Sequence, residues 1–474
     1  MTALNRISAY LLVLVMLVSC TPPRGTAHPG VIYPDYTDVT VPCNIAPLNF
    51  HYVQDCGRRC VTTFTAGDVV VRKKGRDVVF KDREWRELCN AAAGGSIEVA
   101  SSFYPAGWKI FVSKDPVDAY LSYRLIEPGY EVWHEVSIEE RNVEGFDVTV
   151  LSDWKHTNNA CMNCHVHSQG RGDLSMMYVR GKNGGAFLNR GGQLRKLNLK
   201  ADGMYSGTVY GELHPSGRYG VFSTNIIIPG FHSDAMSRLE VYDTQSDLVV
   251  ADFDGNRLIT MPHTARADVF ETFPAFSADG KYVYYCAADT VALPSDVHRL
   301  RYSLMRVSFD ESDGSLGSDI STVWDAERHG ASVCHPKCSP DGRYLMFTVA
   351  DYGTFPIWHR ECDLQVMDLE TGAMLDMDVV NSDLSDTYHS WSSNSSWFVF
   401  ASKRGDGQYG KPYYCHVNGD GTFGKPFVLP QQDPYFYEQT TRSFNIPDMS
   451  CASVGFDAQT IGSMCADMEA EPFN

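Results

Sequence analysis

The sequence predicts a mainly β protein whose repeated units pack side by side as the blades of a propeller, and three observations carry that prediction. First, a short pattern recurs four times: HPSGRYGVFS from His214, SADGKYVYYC from Ser277, SPDGRYLMFT from Ser339 and SSNSSWFVFA from Ser392, with starts 63, 62 and 53 residues apart. Each copy is a polar turn followed by an aromatic and β-branched strand, and the first three carry Gly where a turn needs positive φ. Second, further strand-like pieces follow each copy. After the third come two strands about Glu370-Thr371-Gly372, in DLQVMDLETGAMLDMDVV. Third, 25 Tyr, 24 Phe, 39 Gly and 23 Pro favour strands and turns, while 43 % hydrophobic residues suffice for a core. Such units cannot bury both faces alone, so they must stack on one another. Residues 171–199 read as a degenerate fifth blade, and strands from either chain end would close a sixth.

The other segments follow in chain order. Residues 1–19 read as an export leader, with Arg6 its only charge and an apolar run at 10–18 too short to span a bilayer. The run ends in Leu17-Val18-Ser19-Cys20, which looks like a bacterial lipobox, so Cys20 is the expected lipidation site and residues 20–30 a flexible tether. Residues 31–150 lack the repeat and read as a small β-rich accessory domain. In it, residues 69–80 suggest a hairpin, REWRELCNAAAGG a short helix ending near Gly94, and 96–113 two strands. Residues 151–170 form a separate attachment segment, 171–447 the propeller and 448–474 a C-terminal tail. The net charge of −18 excludes nucleic acid as a partner.

The chemistry is concentrated in Asn158-Asn159-Ala160-Cys161-Met162-Asn163-Cys164-His165. C-x-x-C-H is the attachment signature of haem c: two thiols three positions apart form thioethers with one porphyrin, and the adjacent imidazole becomes the proximal iron ligand. Composition alone produces the pattern with a frequency on the order of one per cent. The competing reading is a Cys161–Cys164 disulfide or redox pair with His165 unrelated. A structural zinc site would need a second ligand pair, which Cys334-His335-x-x-Cys338 and Cys56-x-x-x-Cys60 do not supply at the usual spacing.

An iron that only moves electrons takes a sixth ligand. Met176 and Met177 lie on the next strand-like piece, and Met176 is the preferred candidate because neighbours on a strand face opposite ways. His214, His335, His359 and His389 are distant alternatives, and His167 is too close to reach round the ring.

The repeats resemble the TolB-like β-propeller superfamily, whose S-P-D-G-(K/R) signature is matched best at residues 339–345. The resemblance covers roughly residues 173–430. It implies a TolB-like five- or six-bladed β-propeller preceded by a small β-rich accessory domain. The fourth copy departs from the signature at Asn394-Ser395-Ser396. The order of segments is similar to that of exported Bacteroidetes-type lipoproteins with one C-x-x-C-H and a TolB-like propeller. The stretches that carry this likeness are VTVPCNIAPLNF, YRLIEPGYEVW, NNACMNCH, VRGKNGGAF and YHSWSSN. That resemblance adds covalent haem c and leaves the reaction open.

Three functions compete. One is electron transfer or haem-linked redox sensing by a lipid-anchored protein, expected at the outer membrane facing the periplasm, with a redox or protein partner docking on the propeller. The second is a binding module for a glycan, peptide or protein, with Trp358, Tyr388 and Trp391 as candidate contacts. The third is a propeller lyase or haem enzyme using His335, His359 or His389; a serine peptidase is not expected, since G-x-S-x-G is absent and 44 residues follow Pro430.

Overall fold

In the computed structural model, which describes residues 30–128, 135–231 and 239–474, the four recurring segments build one and the same turn. The backbone N–H groups of His214, Ser277, Ser339 and Ser392 donate to the carbonyls of Tyr219, Tyr282, Tyr344 and Trp397 at 2.8–2.9 Å. A second bond runs back to each first residue from Gly217, Gly280, Gly342 and Ser395. Those four have φ of 75°, 73°, 75° and 60°. Ser395 therefore adopts the left-handed conformation that glycine takes elsewhere, and its Oγ accepts a 3.1 Å bond from the Asp341 N–H of the preceding repeat.

Each turn joins the first two strands of a sheet. Blade 1 comprises Met162–His167, Leu174–Val179, Gly185–Arg190 and Gln193–Asn198; blade 2, Thr208–Leu213, Tyr219–Phe231, Leu239–Asp252 and Arg257–Ile259. Blade 3 is built from Val269–Phe276, Tyr282–Asp289, Ser303–Asp310 and Ser321–Trp324. Ser332–Cys338, Tyr344–Ala350 and Asp363–Asp368 form blade 4, whose expected fourth strand is reduced to a Met367–Met374 bridge. Blade 5 is Asp386–Trp391, Trp397–Ser402, Lys411–His416 and Phe427–Val428.

Blade 6 is assembled from both ends of the chain. Its innermost strand, Ser443–Ser450, pairs with Tyr120–Ile126, followed outward by Val136–Asn142 and Val148–Asp153. The innermost strands of blades 1 to 6 are neighbours in sequence order, and blade 6 returns to blade 1, closing the ring. This mainly β propeller corrects three expected boundaries. Residues 120–153 belong to the ring rather than to the accessory domain. The segment 151–170 is not separate, because Met162–His167 is the inner strand of blade 1. The C-terminal tail is structured: helix Ala458–Asp467 packs Ile461, Met464 and Cys465 against Ile138 and Leu151, and Glu471–Pro472 extends blade 1 in parallel.

The accessory unit is a five-stranded sheet (Thr40–Pro42, Trp108–Ser113, Gly95–Ser101, Val61–Ala66, Val69–Lys74) beside a three-stranded one. The hairpin expected at 69–80 is displaced: Val61–Ala66 pairs with Val69–Lys74 because Gly67, at φ 53°, supplies the turn, while Asp77–Val78 pairs with Phe50–Tyr52 instead. Helix Asp82–Ala92 buries Trp85, Leu88, Cys89 and Ala92, one face at 3.6-residue spacing. This core runs on into Trp397, Tyr414, Phe427 and Phe444 of blades 5 and 6, so accessory unit and ring share one apolar interior. No helix among the described residues is long and apolar enough to cross a membrane. The leader, Cys20 and all of the tether but Gly30 lie outside the described residues, as do residues 129–133 of the YRLIEPGYEVW stretch.

Candidate functional site

Every innermost strand carries a β-bulge, and at each bulge sits a non-glycine residue with positive φ: Cys164, Tyr210, Phe273, His335, Tyr388 and Ile446, at 47° to 56°. Each stands four residues before the turn residue of its strand, which is Ser168, His214, Ser277, Ser339, Ser392 or Ser450. Six equivalent bulges in a closed ring point six side chains at one place. All six line a cavity on the propeller axis, with about 1330 Å³ of empty space counting its solvent-open mouth.

The C-x-x-C-H residues converge there. In an unbroken strand, residues three apart face opposite ways; the bulge at Cys164 cancels that alternation, and Cys161, Cys164 and His165 all line the cavity. His165 is 6 % exposed, and neither ring nitrogen has a hydrogen-bond partner. Burial pushes its pKa down to about 4, so the ring is neutral at ordinary pH and has a lone pair to offer. A buried polar group left unpaired costs about 1–3 kcal/mol, a cost that a ligand on the ring would remove. Burial likewise raises the pKa of the Cys164 thiol.

The remaining walls are mainly apolar and cationic, with Glu212, Asn163 and Asn445 among them. Ile227, Pro229, Leu239 and Val241 come from the long blade 2 hairpin, and Phe355 and Trp358 from the blade 4 loop. Arg124 and Arg180 stand beside the cysteines, the Arg124 Nη2 3.9 Å from the Cys161 Sγ. On the axis below, Lys337 Nζ lies 3.4 Å from Asp448 Oδ1, and Asp448 Oδ2 accepts a 2.7 Å bond from the His167 backbone N–H. Burial would raise the Asp448 pKa, but Lys337 and His167 hold it well below the usual carboxylate range. Burial pushes Glu212 up to about 7, with Lys337 pulling the other way.

These features fit a haem c. Two cysteines and an unpartnered imidazole meet in one cavity with apolar walls on the blade 2 and blade 4 sides, and two guanidiniums in its lining carry the charge that carboxylates would need. The other anticipated residues are distributed differently. Met176 does not line the cavity: it packs with Val166, Leu188, Leu213 and Phe222 between blades 1 and 2, because strand pairing with Val166 turns it into the blade interior. Met177 packs on the opposite face with Met162, Phe187 and Met464.

His214 bonds Ser216 and the Gly280 carbonyl, and His359 sits between Glu240 and Glu361. His389 lines the cavity with Nε2 at 3.1 Å from the Met346 carbonyl. His335 also lines it, with both ring nitrogens unpartnered. Trp358 and Tyr388 are cavity residues, whereas Trp391 packs against Tyr344 and Phe398. Among the described residues no group of three or more His, Cys, Asp or Glu side chains gathers to hold a metal ion. Arg124, Arg180, Tyr210, Phe273 and Lys337 were not anticipated. Extending the repeat alignment four residues upstream of each turn would have exposed the bulge column.

The fold and this geometry together define a β-propeller protein with an axial cavity lined by cysteine and histidine. No protein-family model matches the chain, and no curated protein matches it. Solved structures that it is similar to include a puromycin-hydrolysing peptidase of Mycobacterium tuberculosis, at 14 % identity and TM-score 0.37 over 83 % of this chain and 57 % of that one. A hypothetical selenium-binding protein of Sulfolobus tokodaii aligns at 9 % identity and TM-score 0.44, covering 73 % and 96 %. An oligogalacturonate lyase of Vibrio parahaemolyticus aligns at 10 % and 0.27, covering 63 % and 100 %. The chain thus spans little more than half of the mycobacterial peptidase.

Proposed function

We propose that this protein carries one covalent haem c in the axial cavity, anchored by Cys161 and Cys164 with His165 as proximal ligand, and that it works in electron transfer or haem-linked redox sensing. The observation that carries the reading is His165: a buried imidazole, neutral and unpartnered at both nitrogens, in the same cavity as the two motif cysteines. When bound, the group supplies a one-electron ferric/ferrous couple. The chain's own residues do the rest. The hairpin and loop side chains give the site apolar walls. Arg124 and Arg180 present positive charge to carboxylates, and the fixed bulge at Cys164 holds both thiols on one side of the strand.

Export and a lipid anchor at Cys20, at the outer membrane, belong to the same proposal and rest on the leader sequence. The partner is a redox protein docking on the propeller; the net charge of −18 favours a cationic one and raises its encounter rate. The test is haem staining and a visible spectrum of protein made with a cytochrome c maturation system, beside a Cys161→Ala/Cys164→Ala control. Colour that survives denaturing electrophoresis only in the unaltered protein supports the proposal; colourless, iron-free protein with the two sulfurs joined sinks it.

A second reading is favoured by the aromatic and cationic lining itself. Phe273, Phe355, Trp358 and Tyr388 beside Arg124 and Arg180 suit an anionic small ligand or glycan. Thermal shifts caused by such ligands in the double-alanine protein, undiminished relative to the haem-bearing form, would favour it.

A further inference from the structure

The ring order gives the cavity a geometry that the motif alone does not. Six inner strands follow one another round the axis, so blade 4 stands opposite blade 1. His335 occupies in blade 4 the bulge position that Cys164 occupies in blade 1, with φ 52° against 56°. Its side chain therefore enters the cavity from the wall facing the C-x-x-C-H strand.

The ring of His335 is held in place without using its nitrogens. Phe273 packs edge-on at a centroid distance of 4.4 Å and Tyr388 lies at 4.3 Å on its other neighbouring blade. Both nitrogens are buried without hydrogen-bond partners, and among the described residues His165 is the other histidine with both ring nitrogens in that state. Most rivals are engaged or misplaced. His359 is engaged by Glu240 and Glu361, His214 by Ser216 and Gly280, and His167 by Asp448; His389 gives Nε2 to the Met346 carbonyl but keeps an unpartnered Nδ1 in the cavity, so it is the rival that the experiment must separate from His335. Met176 and Met177 are packed in blade interiors.

We propose that His335 is the second axial ligand, so that the iron attached through His165 is bis-histidine coordinated between opposite blades. This rests on the haem reading above. Both imidazoles bind in the neutral form through a ring lone pair, and no electron or proton is transferred in forming the bond. The aromatic neighbours act as positioning residues that fix the His335 ring before the group arrives, which lowers the conformational cost of the second bond.

The experiment records visible and electron paramagnetic resonance spectra of haem-stained, full-length protein. It compares the unaltered form with His335→Ala, His335→Met, His389→Ala and Met176→Leu, each checked for an unchanged elution volume and circular dichroism. The expected result is a low-spin ferric unaltered protein, near-complete conversion to high spin in His335→Ala, and recovery of low spin on adding imidazole. His335→Met should gain the long-wavelength band of methionine ligation, and His389→Ala and Met176→Leu should keep the original spectrum. A low-spin His335→Ala spectrum identical to that of the unaltered protein overturns the assignment while leaving attachment intact, as does a high-spin unaltered protein. Absence of covalent haem overturns attachment and ligation together.

Discussion

Lys337 Nζ and Asp448 Oδ1 stand 3.4 Å apart on the propeller axis, a contact between the inner strand of blade 4 and the strand that closes the ring. Asp448, 2 % exposed, also accepts from the His167 N–H of blade 1, so one carboxylate ties three blades together. Replacing it leaves the half-buried Lys337 ammonium without its directly contacting carboxylate, which costs more than the pair contributes. Asp448→Asn should lose about 3 kcal/mol in a urea titration. Because the folded-state pKa is depressed, the contribution is present above the unfolded carboxylate value of about 4 and disappears only as pH falls further. A variant as stable as the unaltered protein at pH 7 would show that the pair is energetically idle.

Closure by Ser443–Ser450 makes a second expectation concrete. That strand buries Phe444 and Met449 and pairs with Tyr120–Ile126, more than 300 residues earlier in the chain. A chain ending at residue 442 keeps five blades and loses the inner edge of the sixth. It should lack a sharp unfolding transition and bind a hydrophobic dye at neutral pH. Cooperative melting within a few degrees of the full chain would contradict this.

Much of the ring was legible because its turns are chemically explicit. Ser339-Pro340-Asp341-Gly342 carries the side-chain acceptor and the positive-φ residue that the turn needs, and three of the four copies share that chemistry. Ser395 hides the same conformation behind a residue without turn propensity of that kind, and only its position betrayed it. The bulges were invisible for a related reason. Cys164, Tyr210 and Phe273 take left-handed φ under tertiary constraint, with no glycine to announce it. Blade 6 was expected from strands at either chain end, but which strands was not legible, because no repeat unit encodes it: pairing between residues 120–126 and 443–450 is a long-range event with no local signature. The cysteine and histidine motif located the cavity, while Met176 followed from spacing alone and spacing does not say which face of a blade is interior.

Gly172 marks a close approach between the first turn of blade 1 and the chain just past the closing strand. A Cβ there would come within 1.9 Å of the Ala452 carbonyl oxygen, and backbone cannot yield as a flexible side chain does. Neighbouring bonds, including Cys451 N–H to the Gly170 carbonyl at 2.7 Å, fix the two segments together. Gly172→Ala should therefore destabilise by about 1–3 kcal/mol through overpacking, read as a lower melting temperature. The control Gly181→Ala meets no atom within 4 Å, although its φ of 98° carries its own backbone strain. If the two variants melt together, steric contact at Gly172 is not the dominant cost.

The wall of the cavity formed by the blade 2 hairpin is held by a titratable latch. Glu240, on that hairpin, receives the Tyr352 hydroxyl at 3.2 Å and faces His359 Nε2 at 3.3 Å, while His359 Nδ1 lies 3.3 Å from Glu361. Burial alone would lower the His359 pKa, but the two carboxylates outweigh it and raise the value to about 9. With the folded value above the unfolded one, this contribution is complete below pH about 6.5 and is lost as pH rises toward 9. The shift corresponds to a contribution on the order of 3 kcal/mol at most. Melting temperature should fall between pH 6.5 and 9.5 in the unaltered protein and change far less in His359→Gln. Amide exchange in residues 226–231 and 239–243 should accelerate over the same interval, since the hairpin loses its anchor to blade 4 there. Parallel pH profiles for the two proteins would show that the imidazolium does not fasten the hairpin.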